Sequence, residues 1–412
     1  PAKWTSDQHK NIIHIDARPA HINKLYQPSV EVVGDISVSL RSILSQMEKP
    51  FSSAYAREIK LKMEKERLIW IDLLNIVSCA GVLLLHCTNE EVHHFSGMPS
   101  ANWFIGLTTH SFFLWPVNVF FMISGFTLIR PSLLVNNIKM KGMKNFYSRR
   151  LKRLGIPLLV WNMLYMVKYL VTSYHQGEEI ETIQELIEKF VLFDYNGFMW
   201  FFVPLIIIYL SFPFLAVFIL NSNRSMLRLF LVMGLVLGCI PPLESSFTVK
   251  EGLSSIYLMG TRFLYFIVLG YYFGNFEITP KTRRKIYICS IVSMIVMFFG
   301  TVVLTLYIPE HSRYFINYTN IPCIIAAIGV FTFFRYHDWN KLLGQIRLVK
   351  SHLAYLSSLS LGIYLIQGAW FSVLNIFHVC EEHILLRFVV MYALCVVSVW
   401  AMKRMPWVRQ LV

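Results

Sequence analysis

The sequence predicts an all-α integral membrane protein, a bundle of ten transmembrane helices preceded by a small α/β soluble fragment. Three observations predict it. Of 412 residues, 55% are hydrophobic and only 15% charged, against roughly 25% charged in an average soluble domain, and the mean hydropathy is +0.52. From Leu68 onward, apolar stretches of about 20 residues, the length of a helix crossing the hydrocarbon core, follow one another with short breaks. The breaks alternate in charge, basic then acidic, as loops on opposite sides of a membrane do.

Residues 1–60 stand apart. Asn11–Asp16 and Val30–Asp35 read as short strands, Pro19–Asn23 as a helical turn between them, and Ser37–Met47 as a helix. About 60 residues bury little surface, so independent folding is not assured. The chain starts at Pro1 rather than a methionine, which points to a trimmed or incomplete start, with Met63 an alternative beginning for the membrane part.

The spans are expected near 68–88, 112–130, 154–174, 199–220, 227–243, 257–275, 285–308, 317–335, 353–377 and 384–404. Lys60, Lys62, Lys65 and Arg67 precede the first. Arg130, Lys139, Lys141, Lys144, Arg149, Arg150, Lys152 and Arg153 separate the second and third. Arg224 and Arg228, then Lys281 to Lys285, then Arg335, Lys341, Arg347 and Lys350 occupy the later loops on that side, and Lys403, Arg404 and Arg409 follow the last span. The opposite loops hold Glu90 and Glu91, the run from Glu178 to Glu188, Glu244, Glu251, Glu310, Glu381 and Glu382. This asymmetry predicts a plasma-membrane protein with both termini cytoplasmic. It also accounts for the net charge of +14 without nucleic acid, because the cations are dispersed among loops. Of seven cysteines, Cys79, Cys239, Cys289, Cys323 and Cys395 fall in apolar stretches and read as small buried hydrophobes. Cys87 and Cys380 fall near the outer surface, and the sequence leaves open whether they pair.

The first span carries a polar stripe. Asp72, Asn75, Cys79, Val82 and His86 are spaced three, four, three and four apart, so a helix puts them on one face. Ionisable groups inside a bilayer are costly and persist mainly where they face a bundle interior and act there. His86 is about 25 Å from Leu68 along such a helix, so it reads either as a general base or as an interfacial histidine. The run from His86 to His94 contains metal-ligand residue types without a spacing that defines a site, and no metal is expected.

Two resemblances rest on motifs. Ile12-Ile-His-Ile-Asp16, Pro19-Ala, Tyr26-Gln-Pro28 and Val33-Gly-Asp-Ile36 resemble the end of the middle domain of acetolactate synthases, thiamine-diphosphate enzymes, with none of that family's catalytic segments present. Residues 66–406 resemble the acyltransferase-3 family of integral membrane O-acyltransferases, which modify cell-envelope sugars. The motifs, in order, are Ile71-Asp72-Leu-Leu-Asn75 through Leu85-His86, Val119-Phe-Phe-Met-Ile-Ser124-Gly125-Phe, and Phe146-Tyr-Ser-Arg149-Arg150-Leu-Lys152-Arg153-Leu-Gly-Ile-Pro157. Trp200-Phe-Phe-Val-Pro through Tyr209 and Pro213, then Ser360-Leu-Gly-Ile-Tyr364-Leu-Ile-Gln367, complete the set.

The resemblance implies a membrane O-acyltransferase that moves an acyl group, acetyl by expectation, from acyl-coenzyme A to a hydroxyl of an envelope polysaccharide or lipid-linked glycan precursor. His86 corresponds to the family's catalytic histidine. Arg150 and Arg153, with Arg149 and Lys152 beside them, correspond to its donor-phosphate cluster, although such cations equally serve to hold the loop inside and to touch anionic lipid. Asp72 orients a partner or simply heads the helix. Ser124 suits close packing first and lining second. Trp200, Tyr209 and Tyr364 line an acceptor channel or pack the bundle, and Arg262 holds an acidic glycan or snorkels. Asn75 stands where the family usually has arginine, and Phe198 and Gln367 stand where relatives often have histidine. These departures keep open a degenerate, glycan-binding member, and a glycan or lipid transporter is the rival from another class.

Overall fold

The computed structural model describes residues 13–16, 30–33, 68–93, 100–129, 140–179, 181–247, 254–308, 314–343, 347–380 and 383–412. The chain divides into Pro1–Arg67 and Leu68–Val412. In the first unit, β1 (Ile13–Asp16) and β2 (Val30–Val33) pair in parallel, with Ile13 opposite Val30 and Asp16 opposite Val33. The expected turn at Pro19–Asn23, the helix Ser37–Met47 and Met63 lie outside the described residues.

The described elements of the second unit are all helices. α1 (Ile69–Cys87) has 19 residues, about 28 Å at 1.5 Å per residue and so enough to cross the hydrocarbon core. After the short α2 (Asn89–His93) come α3 (Ala101–Phe113) and α4 (Pro116–Leu128). Ser100 caps α3 by accepting a hydrogen bond from the Trp103 amide at 3.0 Å. Pro116, lacking an amide hydrogen, starts α4 one step later. The apolar unit therefore runs Ala101–Leu128, beginning about ten residues before the expected span at 112–130. Thr109, His110 and Ser111 dilute the apolar pattern there, yet all three are buried inside the bundle.

α5 (Met140–Arg150) passes through a π-helical turn at Leu151–Gly155 into α6 (Ile156–Gln176), which Gly177 ends with φ +68°. The acidic loop that follows holds a helix the sequence pattern did not suggest, α7 (Ile183–Leu192). Its first turn is locked by Thr182 and Glu185, which bond each other's amides. α8 (Phe202–Asn221), entered through a 3₁₀ turn at Met199–Phe201, then precedes α9 (Arg224–Phe247), α10 (Ser254–Asn275), α11 (Pro280–Tyr307), α12 (Ile321–Tyr336), α13 (Trp339–Leu343), α14 (Arg347–Ile376) and α15 (Ile384–Arg404).

Each expected span overlaps one of these helices. Among the described residues, seven helical segments are long and apolar enough to cross a membrane. Phe214, Val232, Ile291, Phe299 and Val303 are exposed on their outer faces, as side chains meeting lipid tails should be. Cys87 and Cys380 are both free thiols.

The interior is an aromatic core around Phe121, Phe202, Phe263, Phe266 and Phe331, all fully buried. α4 and α10 form its tightest crossing. Gly125 of α4 sits against the Ile267 backbone of α10, and Gly270 and Gly274 of α10 sit against the Met122 backbone and the Phe126 ring. A small residue every fourth position lets two membrane helices approach to backbone contact, where dispersion replaces the absent hydrophobic drive. An added methyl at Gly125 or Gly270 would overlap a carbonyl oxygen. G125A or G270A is therefore expected to destabilise the bundle by about 1–3 kcal/mol. The check is the midpoint of thermal aggregation of detergent-solubilised protein, which should fall for both variants and stay near wild type for G197A, where nothing lies within contact of an added methyl.

Candidate active site

The site is built on a polar seam between α1 and α14. Asn75 Nδ2 donates to the Ser357 carbonyl at 3.0 Å, to Ser357 Oγ at 3.1 Å and to Ser360 Oγ at 3.3 Å. One turn on, Cys79 Sγ donates to the Ser360 carbonyl at 3.8 Å. Two turns further, His86 Nδ1 lies 2.9 Å from Gln367 Oε1. Residue numbers rise together on both helices, so α1 and α14 run parallel and their stripes match in register. On α14 the stripe Ser357, Ser360, Tyr364, Gln367, Phe371 repeats at three and four, the spacing of one helix face.

A cavity opens at each end of this seam. At the basic end, about 300 Å³ is lined by Asn75, Ser124, Arg150, Arg153, Tyr209 and Tyr364, among others. Arg150 is held there by two rings, with its guanidinium carbon 5.4 Å from the Phe146 centroid and 5.2 Å from that of Tyr209. Phe146 in turn stacks on Phe212 of α8 at 4.6 Å. The π turn at Leu151–Gly155 adds a residue to the helical cycle just after Arg150, a device common at functional sites. Arg149, whose Nε donates to the Asn145 carbonyl, and Lys152 are exposed and line neither cavity.

At the far end, about 350 Å³ is lined by His86, Glu90, Lys168, Asn196, Phe198 and Arg387, with further residues of α14. The Phe198 ring lies 4.3 Å from that of His86, and Phe371 packs on Phe198 at 5.0 Å. With the Gln367 amide oxygen facing the ring, His86 Nδ1 donates and Nε2 keeps its lone pair, the tautomer a general base needs. With the amide turned over, the Gln367 nitrogen, which has no other partner, donates to Nδ1 instead. Gly368 leaves the space that the Asn196 side chain and the Tyr165 hydroxyl occupy. Asn196 then shapes the wall, accepting at Oδ1 from the Phe198 amide at 3.1 Å.

Tyr364 separates and joins the two cavities. It lines the basic one, its ring is 6.4 Å from His86, and its hydroxyl donates to the Phe198 carbonyl. Phe201 and Phe202 flank it at 5.6 and 5.3 Å. The eleven residues from Asn75 to His86 put the ends of the seam about 16 Å apart.

Of the expected site residues, the structure brings Asn75, Ser124, Arg150, Arg153, Tyr209 and Tyr364 around one cavity, and joins His86 to Gln367 at the other. Ser124 Oγ itself donates back to the Phe120 carbonyl. Asp72 is buried at the first turn of α1 and lines neither cavity, and Trp200 packs against Phe263 and Tyr318. The side chain of Arg262 lies outside the described residues, as do that of His93 and all of His94. Sequence reasoning missed Lys168, Asn196, Ser357, Ser372 and Arg387. Lys168 had a signal, since it is a cation inside the expected span 154–174, and such residues mark function by default.

A family model described as an acyltransferase domain matches residues 68–404. No curated protein and no solved structure matches the chain.

The two cavities make a labelling prediction. With Cys289 and Cys380 replaced by serine, S358C at the basic cavity and S372C at the far one should react with a membrane-impermeant maleimide from opposite sides of sealed vesicles. Labelling of both from one side would refute the two-ended arrangement.

Proposed function

Since the chain belongs to the acyltransferase domain family matched over residues 68–404, it is an acyltransferase held in a membrane, and we propose the following reaction for it. The acyl donor is an acyl-coenzyme A, with acetyl the expected group, and the acceptor is a hydroxyl of an envelope polysaccharide or lipid-linked glycan precursor. The ten helical segments all cross the plasma membrane, with the basic end and both termini in the cytoplasm, where acyl-coenzyme A is made. The observation that carries the reading is the placement of a histidine, joined through Nδ1 to Gln367, at one cavity and a guanidinium pair at the other, on one continuous seam.

Arg150 and Arg153 suit the donor phosphates because each guanidinium presents paired donors matching two phosphate oxygens. From there the thioester arm passes Tyr364 and spans about 16 Å to reach His86. A hydroxyl is a poor nucleophile near neutral pH, so Nε2 of His86 takes its proton as the oxygen attacks the thioester carbonyl carbon. The tetrahedral intermediate collapses with cleavage of the carbon–sulfur bond. The leaving thiolate receives the proton back from the imidazolium, and an ester and a free thiol result. Gln367 holds the ring and its tautomer throughout and is a positioning residue. Phe198 and Phe371 keep bulk water from the thioester, which would otherwise hydrolyse.

His86→Ala should lower acetyl transfer or hydrolysis of radiolabelled acetyl-coenzyme A by about 10²–10⁴-fold in purified protein. Wild-type turnover by this variant would sink the proposal. Gln367→Ala, by freeing the ring, should lower the maximal rate by about tenfold or more while leaving the donor Michaelis constant nearly unchanged.

R150Q and R153Q should do the reverse. Each is expected to raise the donor Michaelis constant by about tenfold, the worth of a charge-assisted hydrogen bond, with the maximal rate little altered. Steady-state kinetics over a range of acetyl-coenzyme A concentrations separates the two effects, and an unchanged Michaelis constant in both variants would remove the donor from this cavity.

A further inference from the structure

The far cavity contains more positive charge than proton transfer needs. Lys168 of α6 and Arg387 of α15 both line it, and both turn toward α14 rather than away from it. Lys168 Nζ donates to Ser372 Oγ, Arg387 Nη2 donates to Asn375 Oδ1, and the Arg387 guanidinium lies 5.8 Å over the Phe371 ring.

Their partners are neutral. Among the described residues no carboxylate comes within ion-pair distance of either cation. Glu90, the acidic residue lining the same cavity, is exposed. Arg387 also keeps a buried Nε–H that makes no hydrogen bond within the protein. Two cations converging on one half-open cavity, neither ion-paired among the described residues and one of them with an unused donor, form a site for an anion. At about 350 Å³ the cavity is within the range of small-molecule sites.

We infer that the acceptor is acidic: Lys168 and Arg387 hold a phosphate or carboxylate group of the acceptor while its neighbouring hydroxyl meets His86. The hydroxyl half of this statement rests on the acyl-transfer reading above; the anion half does not. A phosphate would come from a lipid-linked sugar and a carboxylate from a uronic-acid glycan, and both offer the paired oxygens that a guanidinium prefers.

The test is equilibrium binding to the full chain in nanodiscs of phosphatidylcholine. The probes are a polyprenyl phosphate with polyprenol as its neutral control, and a hexuronate oligosaccharide with a neutral hexose oligosaccharide as its control. At least one acidic probe should bind about tenfold or more tightly than its control, and K168Q and R387Q should each erase about tenfold. Which arm responds names the source of the anion. R387K should stay closer to wild type than R387Q, and wild-type affinity should fall as salt is raised. Those two readouts hold even if a glutamine variant does not fold. Acidic probes that bind no better than their controls, or affinities indifferent to both glutamine variants, would overturn the inference. H86A should keep the preference for the acidic probe over its neutral control whether or not it loses acyl transfer, so loss of the catalytic reading and loss of the anion site give different results.

Discussion

The bundle depends on a line of hydrogen bonds between two parallel helices. Inside a membrane, polar side chains gain little from water and find their partners on neighbouring helices, at an average worth of only about 0.6 kcal/mol each. The bonds from Asn75 to Ser357 and Ser360, from Cys79 to Ser360 and between His86 and Gln367 are therefore weak as a source of stability. Their effect is on register. A slip of one residue between α1 and α14 would rotate every stripe residue out of line by about 100°, leaving several polar atoms facing lipid or apolar side chains. Each of those would be costly, so one register is selected.

That register places the chemistry. With Asn75 at Ser357 and His86 at Gln367, the seam ends in two cavities, one ringed by cations from α5 and the π turn, the other by cations from α6 and α15. Tyr364, on the same face of α14, stands between them with its hydroxyl tied to the Phe198 carbonyl. A reaction needing a hydrophilic donor on one side of a membrane and a hydrophilic acceptor on the other calls for this layout. Under the proposed reaction each partner would enter from its own side, and only the acyl arm would pass the aromatic waist.

Much of this was legible from residue order. The three-four spacing of Asp72, Asn75, Cys79, Val82 and His86 identified the inward face of α1, because helix period alone decides which side chains share a face. The basic run at Arg149–Arg153 was equally plain. Within it the family resemblance favoured Arg150 and Arg153, the two that line the cavity; the π turn that sets their phase leaves no mark in composition. Lys168 and Arg387 were less plain. A cation inside an apolar span marks a site by default, but only the proximity of Ser372 and Asn375 shows both turning toward one space. α7 was overlooked because its five flanking or internal glutamates, Glu178 to Glu188, read as loop charge, although Thr182 and Glu185 spell a helix start.

By itself, then, the amino-acid sequence determined the membrane class, the approximate positions of the long apolar helices and the inward face of α1. Length, apolarity and period are local properties that each segment carries alone. What tertiary structure decided is pairing: that Gln367 rather than a charged group meets His86, that Gly125 meets the helix of Gly270 and Gly274 at the closest crossing, and that cations from α6 and α15 share a cavity. Those outcomes depend on which faces meet across long stretches of intervening chain, and no local pattern encodes a distance between two segments.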